Sequence, residues 1–311
     1  MALADGLRGY MARDWAAQRA PKENRRMRQT ALSAALFLLS AATPLAADVR
    51  LPQPSPAATV SGTIGITTVA ISYHQPGVKG RRIWGELVPY GSLWRLGAND
   101  ATTISFSDAV KVAGHDVPAG TYALFAVPGK ESWTLVLNRK AQQWGAYFAD
   151  PKEDQLRFEV RPAAGDATEW MTFGIVPTGA TSARVDWAWE KLRFSFPVEV
   201  EVSRLVWAGV DKALTEAKPD DWQTPLQAAR WAREDRRRLD EAIVWLDRSI
   251  AIRQSFWNYE LKALLLHDAG KTAEAIPLME KAIELSKKGG PPKEYTEGLE
   301  KTLASWQAPK R

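Results

Sequence analysis

The hydrophobic period of this chain changes near residue 204, from two before that point to between three and four after it. Before it, the runs 66–73 (ITTVAISY), 102–107, 120–127 (GTYALFAV), 132–138, 154–160 (DQLRFEV), 169–176, 183–190 and 191–200 are rich in β-branched and aromatic residues. In 154–160, Leu156, Phe158 and Val160 fall on one face and Arg157 and Glu159 on the other, the alternation of a half-buried strand. Turn-forming stretches such as AGHD and PGKE separate the runs. Strands that follow one another without intervening helices pair antiparallel, so this half is expected to be a β-sandwich or flattened barrel.

Beyond residue 204 the pattern is helical. LDEAIVWLDRSIAI (239–252) and TAEAIPLMEKAIEL (272–285) share Glu-Ala-Ile at an offset of 33 residues. That is close to the period of about 34 in tetratricopeptide repeats, which these helices resemble. Only about two repeats are visible, too few to bury a solenoid core of their own. They are therefore expected to dock on the β domain or on another chain. Pro277 is placed early in its helix, where a missing N–H is tolerated. The fold class expected is α+β in two domains. A Pro-rich linker spans 48–59, an antiparallel β domain 60–203, and a short tetratricopeptide-like helical domain 204–311.

The first 47 residues bear on location and charge. The apolar run ALSAALFLLSAA (31–42) follows Arg25, Arg26 and Arg28 and is followed by Ala46 and Ala47. This is the layout of a signal peptide, cut after Ala47, and the run is too short to span a bilayer. A start at Met27 would give a leader of conventional length. The expectation is an exported protein, periplasmic or extracellular, with no transmembrane span in the mature chain.

Removing residues 1–47, with seven Lys or Arg and three Asp or Glu, leaves 34 basic and 33 acidic residues, a net of +1. The basic pI of about 9.3 thus belongs largely to the leader, and no global electrostatic case for nucleic acid remains. There is no cysteine, which excludes disulfides and thiolate metal sites. His74, His115 and His267 match no zinc spacing, so neither metal nor cofactor is expected. Fourteen tryptophans are many for this length, and although most should be core, some are expected on a surface or in a cleft.

Residues 76–99 carry no strand pattern over a length well beyond ordinary connections. The segment combines five glycines, the donors Lys79, Arg81, Arg82 and Arg95, and the flat faces of Trp84, Tyr90 and Trp94. RRIWGELV within it has the makings of one helical turn. Arg pairs bidentately with carboxylates or phosphates, and indoles stack on Arg or on sugar rings. Lys79, Arg81, Trp84, Tyr90, Trp94, Arg95, Asn99, Thr102 and, further on, Trp144 are the candidate ligand-binding residues, for a small polar or anionic ligand. The structural alternative is that Arg95 knits the loop to strand carbonyls while Trp94 plugs the end of the sandwich.

PGVKGRRIWGELVPYGSLWRLGANDATTISF, VPAGTYALFAVPG, WTLVLN and QQWGAY resemble the bacterial exported family known as domain of unknown function 2911, over about residues 60–202. The resemblance implies a β domain behind a signal peptide, sometimes joined to tetratricopeptide-like helices, and implies no reaction. G-x-S-x-G, H-E-x-x-H and P-loop motifs are absent. Asp100, Asp150 and Asp154 are loop acids of the type glycosidases use in pairs. His74, at a strand end, is placed to act as a base with Asp100. The reading is an exported binding module with its pocket in loop 76–99, its helices meeting a protein or peptide. The alternatives are a hydrolase or isomerase of small polar or carbohydrate substrates using His74 and Asp100, and a structural envelope protein.

Overall fold

In the computed structural model, which describes residues 51–289 and 291–308, ten strands in two antiparallel sheets precede six helices. The leader expectation falls on residues outside those described. One sheet has the order β1 (Ala57–Ile64), β2 (Thr67–His74), β3 (Thr103–Phe106), β6 (Gly120–Val127), β7 (Trp133–Asn138), β8 (Asp154–Val160). The other runs β5 (His115–Val117), β4 (Val110–Val112), β10 (Ser182–Glu199), β9 (Ala163–Gly179). Ile71, Tyr73, Ile104, Leu135 and Leu137 from the first meet Met171, Phe173, Trp187, Phe196 and Val198 from the second in one apolar core. Tyr73 bridges them, its hydroxyl accepting from the Phe173 N–H at 3.1 Å and its ring meeting Phe173 edge-on at 4.9 Å.

Three local differences from the sequence expectation have physical causes. β1 begins at Ala57, three residues ahead of the expected start of the β domain. AATVSGTI mixes the β-branched Thr59, Val60, Thr63 and Ile64 with Ala, Ser and Gly, and as an edge strand it packs only Ala58, Val60 and Ile64 against the core while its ladder to β2 holds the rest. AGHD, read as a plain turn, closes a hairpin: Val112 pairs with His115 across Ala113 (φ 49°) and Gly114 (φ 82°), the two positive φ values of a type I′ turn. The runs 183–190 and 191–200 are one strand. A bulge at Glu190, whose φ is 56°, moves the buried set from Val185, Trp187 and Trp189 to Phe194, Phe196 and Val198. The break in parity reads in sequence as a break in the strand.

The helices are α1 (Val202–Glu216), α2 (Gln223–Asp235), α3 (Leu239–Ile252), α4 (Phe256–Asp268), α5 (Thr272–Lys288) and α6 (Lys293–Gln307). α4 starts 33 residues after α2, and α5 starts 33 after α3. Pro277 lies inside α5 beyond its first turn, so one ladder bond is missing from an otherwise continuous helix. α1 belongs to two cores: Val202 and Leu205 pack against the sandwich, and Trp207 and Val210 against the helices. The Trp207 indole and Ser203 hydroxyl both donate to Asp235 at the end of α2, which holds that carboxyl below the usual range. No helix of the described residues is long and apolar enough to cross a membrane.

Candidate functional site

The outward face of the six-stranded sheet is covered along only half its width. Over β6 and β7, Ala123, Phe125 and Val136 are capped by Leu93, Ala146 and Ala149 in a small second core. Ala146 and Ala149 belong to the segment 139–150, which Asn138 anchors at its root. The buried Asn138 amide donates to the carbonyl of Asp150 and to Asp154 Oδ1, and its Oδ1 accepts from the Lys140 N–H. Over β1 to β3 the cover stops, leaving a cleft of about 560 Å³.

Strand alternation decides what forms its floor. Tyr73 and Ile71 point into the sandwich, so Ser72 and His74 point out; Thr59 and Thr103, paired with Ser72 on either side, do the same. The Thr59 and Ser72 hydroxyls lie 3.1 Å apart. The wall is Gln142, Gln143 and Trp144. It is fastened to the start of β3 by the Ala101 N–H on the Gln143 carbonyl (3.0 Å) and the Gly145 N–H on the Asn99 carbonyl (3.2 Å). Asp100 and Trp144 are thereby directly opposed across a short antiparallel pairing. Extending the β2–β3 register by two residues sets His74 beside Ala101, which is how His74 and Asp100 come to line the same cleft.

Two features of the wall are chemically unusual. Gln143 is only 9% exposed and its Nε2 donates to the Lys140 carbonyl at 2.6 Å, yet its Oε1 has no donor. A buried acceptor without a partner is costly, on the order of 1–3 kcal/mol, unless something arrives to donate to it. Next to it Trp144 is 57% exposed, followed by Tyr147 at 77% and Phe148 at 64%, a run of apolar rings at the surface. Neither His74 nor Asp100 makes a side-chain hydrogen bond or ion pair among the described residues, so both remain open to a bound molecule. No group of three or more His, Cys, Asp or Glu that would hold a metal ion occurs among the described residues.

Loop 76–99 sits next to this cleft and is engaged differently. It contains no helical turn at RRIWGELV. Gly85, at φ 84°, turns the chain so that Trp84 pairs with Val88. The Gln75 side chain, Pro76 and Val78 bond to Met171 and Glu169 of β9, and Trp94 exchanges both backbone hydrogen bonds with Ala126 of β6, at 2.7 and 2.9 Å. Trp84 and Trp94 enter a cluster with Trp133, Trp187 and Trp189, in which Trp94 stacks on Trp189 at 5.7 Å. The Trp84 indole donates to Glu190, the residue of the bulge.

The cations of the loop are also locally engaged. Arg81 donates to the carbonyls of Gly77 (2.6 Å) and Val78 (3.1 Å), Arg82 pairs with Glu86, and Lys79 reaches the Pro54 carbonyl above the Trp170 ring. Arg95 is half-buried, with its Nε lacking an acceptor. Thr102, read as a mouth residue, is buried and donates to the Leu96 carbonyl at 2.8 Å, pinning the end of the loop.

Among the residues singled out from sequence, His74, Asp100 and Trp144 line the cleft, and Asn99 supports its wall through its backbone. Lys79, Arg81, Trp84, Tyr90, Trp94, Arg95 and Thr102 do not line it. Sequence reading missed Gln142, Gln143 and the hydroxyl floor of Thr59, Ser72 and Thr103. The available signal was QQWGAY, where an amide pair stands before an exposed indole, and the outward polar positions of strands whose other face is apolar.

No curated protein and no solved structure matches the chain. Residues 55–198 match the model of a family described as protein of unknown function (DUF2911). They take in both sheets almost entirely together with loop 76–99 and every residue of the cleft, so it is the β half of the chain that is similar to that family.

Proposed function

We propose that the cleft over β1 to β3 binds a small neutral polar ligand with one apolar face, a sugar ring being the chemical type. The observation that carries this is the exposed Trp144 on the wall of a cleft floored by the Thr59, Ser72 and Thr103 hydroxyls. The indole offers a stacking platform, and Gln143, Gln142, Asp100, His74 and the Thr and Ser hydroxyls offer the donors and acceptors a polyol needs. Among the described residues, Asp100 and His74 are the only titratable side chains in the lining apart from the buried Tyr73, and no Lys or Arg lines it. That favours a neutral ligand over an anionic one. Isothermal titration of the chain with glucose, galactose, N-acetylglucosamine and their disaccharides tests the reading. At least one should bind saturably, and Trp144→Ala should weaken it about tenfold or more without moving Tm, since stacking on an aromatic is worth about 1–3 kcal/mol. No binding by any member, or equal binding by Trp144→Ala, defeats it.

A second reading rests on His74 and Asp100 lining one cleft. An imidazole at the end of β2 and a carboxylate three residues ahead of β3 suit proton transfer in a hydrolase or isomerase. Glycosidase chemistry of the two-carboxylate kind is disfavoured, because Asp100 is the sole carboxylate of the lining. Turnover of a polar ester or an aldose that is abolished in both His74→Asn and Asp100→Asn would establish it; turnover that survives in either variant would not.

The chain is further proposed to be exported, on the strength of the apolar run behind Arg25, Arg26 and Arg28. Intact mass should begin at Asp48. A protein or peptide partner is proposed for the helices, supported by their 33-residue spacing, which is close to the tetratricopeptide period of about 34.

A further inference from the structure

A second cleft, of about 620 Å³, lies against β9 and β10 on the other sheet. The bulge at Glu190 creates it. Before the bulge Arg184, Asp186 and Ala188 face outward; after it the parity slips by one, so Arg193 and Ser195 keep the outward side while the apolar residues stay in the core. Ala163 of β9 pairs with Arg193, so the two share a face. Arg161 lies two residues before Ala163 and precedes Pro162, which favours extended backbone at Arg161. Arg161, in the two-residue link from β8 to β9, lines the same cleft as Arg193 and Ser195.

The charges of this cleft are unequally used. Arg184 is bound by both oxygens of Asp186, at 2.5 and 2.9 Å. Arg193 has only a loose contact of 3.7 Å with the fully exposed Asp166. Arg161 has no ion pair among the described residues. Gly165 gives Arg193 its place: a Cβ there would sit 1.7 Å from Arg193 Nε and 2.1 Å from Cζ, so the guanidinium occupies the space a side chain would fill. Thr172 and Ser195 add hydroxyls to the lining.

We infer that this cleft is a binding site for a small oxyanion-bearing molecule, its phosphate or carboxylate group held between Arg161 and Arg193. Arg presents a planar fork of donors that matches both groups bidentately. The site is separate from the cleft over β1 to β3 and does not depend on how that one is read.

Titration calorimetry of the chain at low salt with inorganic pyrophosphate in one arm and citrate in the other tests this and distinguishes a phosphate from a carboxylate source. Saturable binding is expected in at least one arm, weakening as salt is raised. Arg161→Ala, at an exposed residue without an ion pair among the described residues, should reduce affinity about tenfold. Gly165→Ala should do the same with every charge retained, because its methyl displaces the Arg193 guanidinium. Arg193→Lys should lose most of the binding, since an ammonium cannot replace the fork. Asp186→Asn should instead tighten binding by removing a negative charge and freeing Arg184. Absence of saturable binding in both arms overturns the inference. So does unchanged affinity in folded Arg161→Ala and Gly165→Ala proteins.

Discussion

Loops 76–99 and 139–150 flank the same sheet and are both rich in aromatics, yet they put them to opposite uses. In 76–99, Trp84 and Trp94 are drawn into a cluster of five indoles, and Lys79, Arg81 and Arg82 have acceptors within the loop or beside it. In 139–150, Trp144, Tyr147 and Phe148 stand in solvent, and Gln143 keeps a buried acceptor without a donor. Residue types alone therefore do not mark a site. Nor does an unused polar group by itself, since Arg95 Nε in loop 76–99 also lacks an acceptor; in 139–150 the unused Gln143 Oε1 stands next to an exposed ring on the wall of a cleft.

The sharpest way to break this comparison is to remove one tryptophan from each loop. Trp94→Ala deletes a ring packed against Trp189, Trp84 and Trp133 and should cost about 3 kcal/mol or more by urea unfolding. Trp144→Ala should fall within about 0.5 kcal/mol of the parent. Equal losses would show that Trp144 is as structural as Trp94.

A smaller effect is expected at the junction of loop and cleft. Gly97 lies where a Cβ would come 2.9 Å from Thr102 Oγ1 and 3.2 Å from the His74 carbonyl. Gly97→Ala should therefore destabilise by about 1–3 kcal/mol through overpacking. It should also weaken ligand binding, since it pushes on the strand end that carries His74. A neutral Gly97→Ala protein would mean that the loop and β2 are not tightly coupled.

Lys79→Ala should be the mildest. Its Nζ has one exposed carbonyl contact and a position 5.5 Å over Trp170, worth together about 1 kcal/mol at most. Binding in the cleft should be unchanged. A Lys79→Ala protein that keeps its melting temperature but no longer binds ligand would move the site back into loop 76–99.

The architecture was legible where periodicity is strong. The alternation in DQLRFEV, the apolar run of GTYALFAV and the switch to helical spacing after residue 204 correspond to β8, β6 and α1 to α6. It was not legible at β1, where Ala, Ser and Gly interrupt the β-branched Thr59, Val60, Thr63 and Ile64, or at Glu190, where one bulged residue splits β10 in two when read by parity. The cleft was half legible. His74, Asp100 and Trp144 stand out by residue type, but their meeting depends on the β2–β3 register and on the pairing of residues 99–101 with 143–145. Thr59, Ser72 and Thr103 look like ordinary outward strand residues until the cover over the sheet is seen to stop short of them.

The most direct test of the central claim uses the tryptophan side chains as reporters. In a ¹H–¹⁵N spectrum assigned by single substitution, each indole N–H gives its own signal. The chain is titrated with whichever saccharide binds by calorimetry. The account predicts that the Trp144 indole shifts progressively and saturably while those of Trp84, Trp94, Trp133, Trp187 and Trp189 stay in place. Shifts in the five-indole cluster with a stationary Trp144 would contradict it.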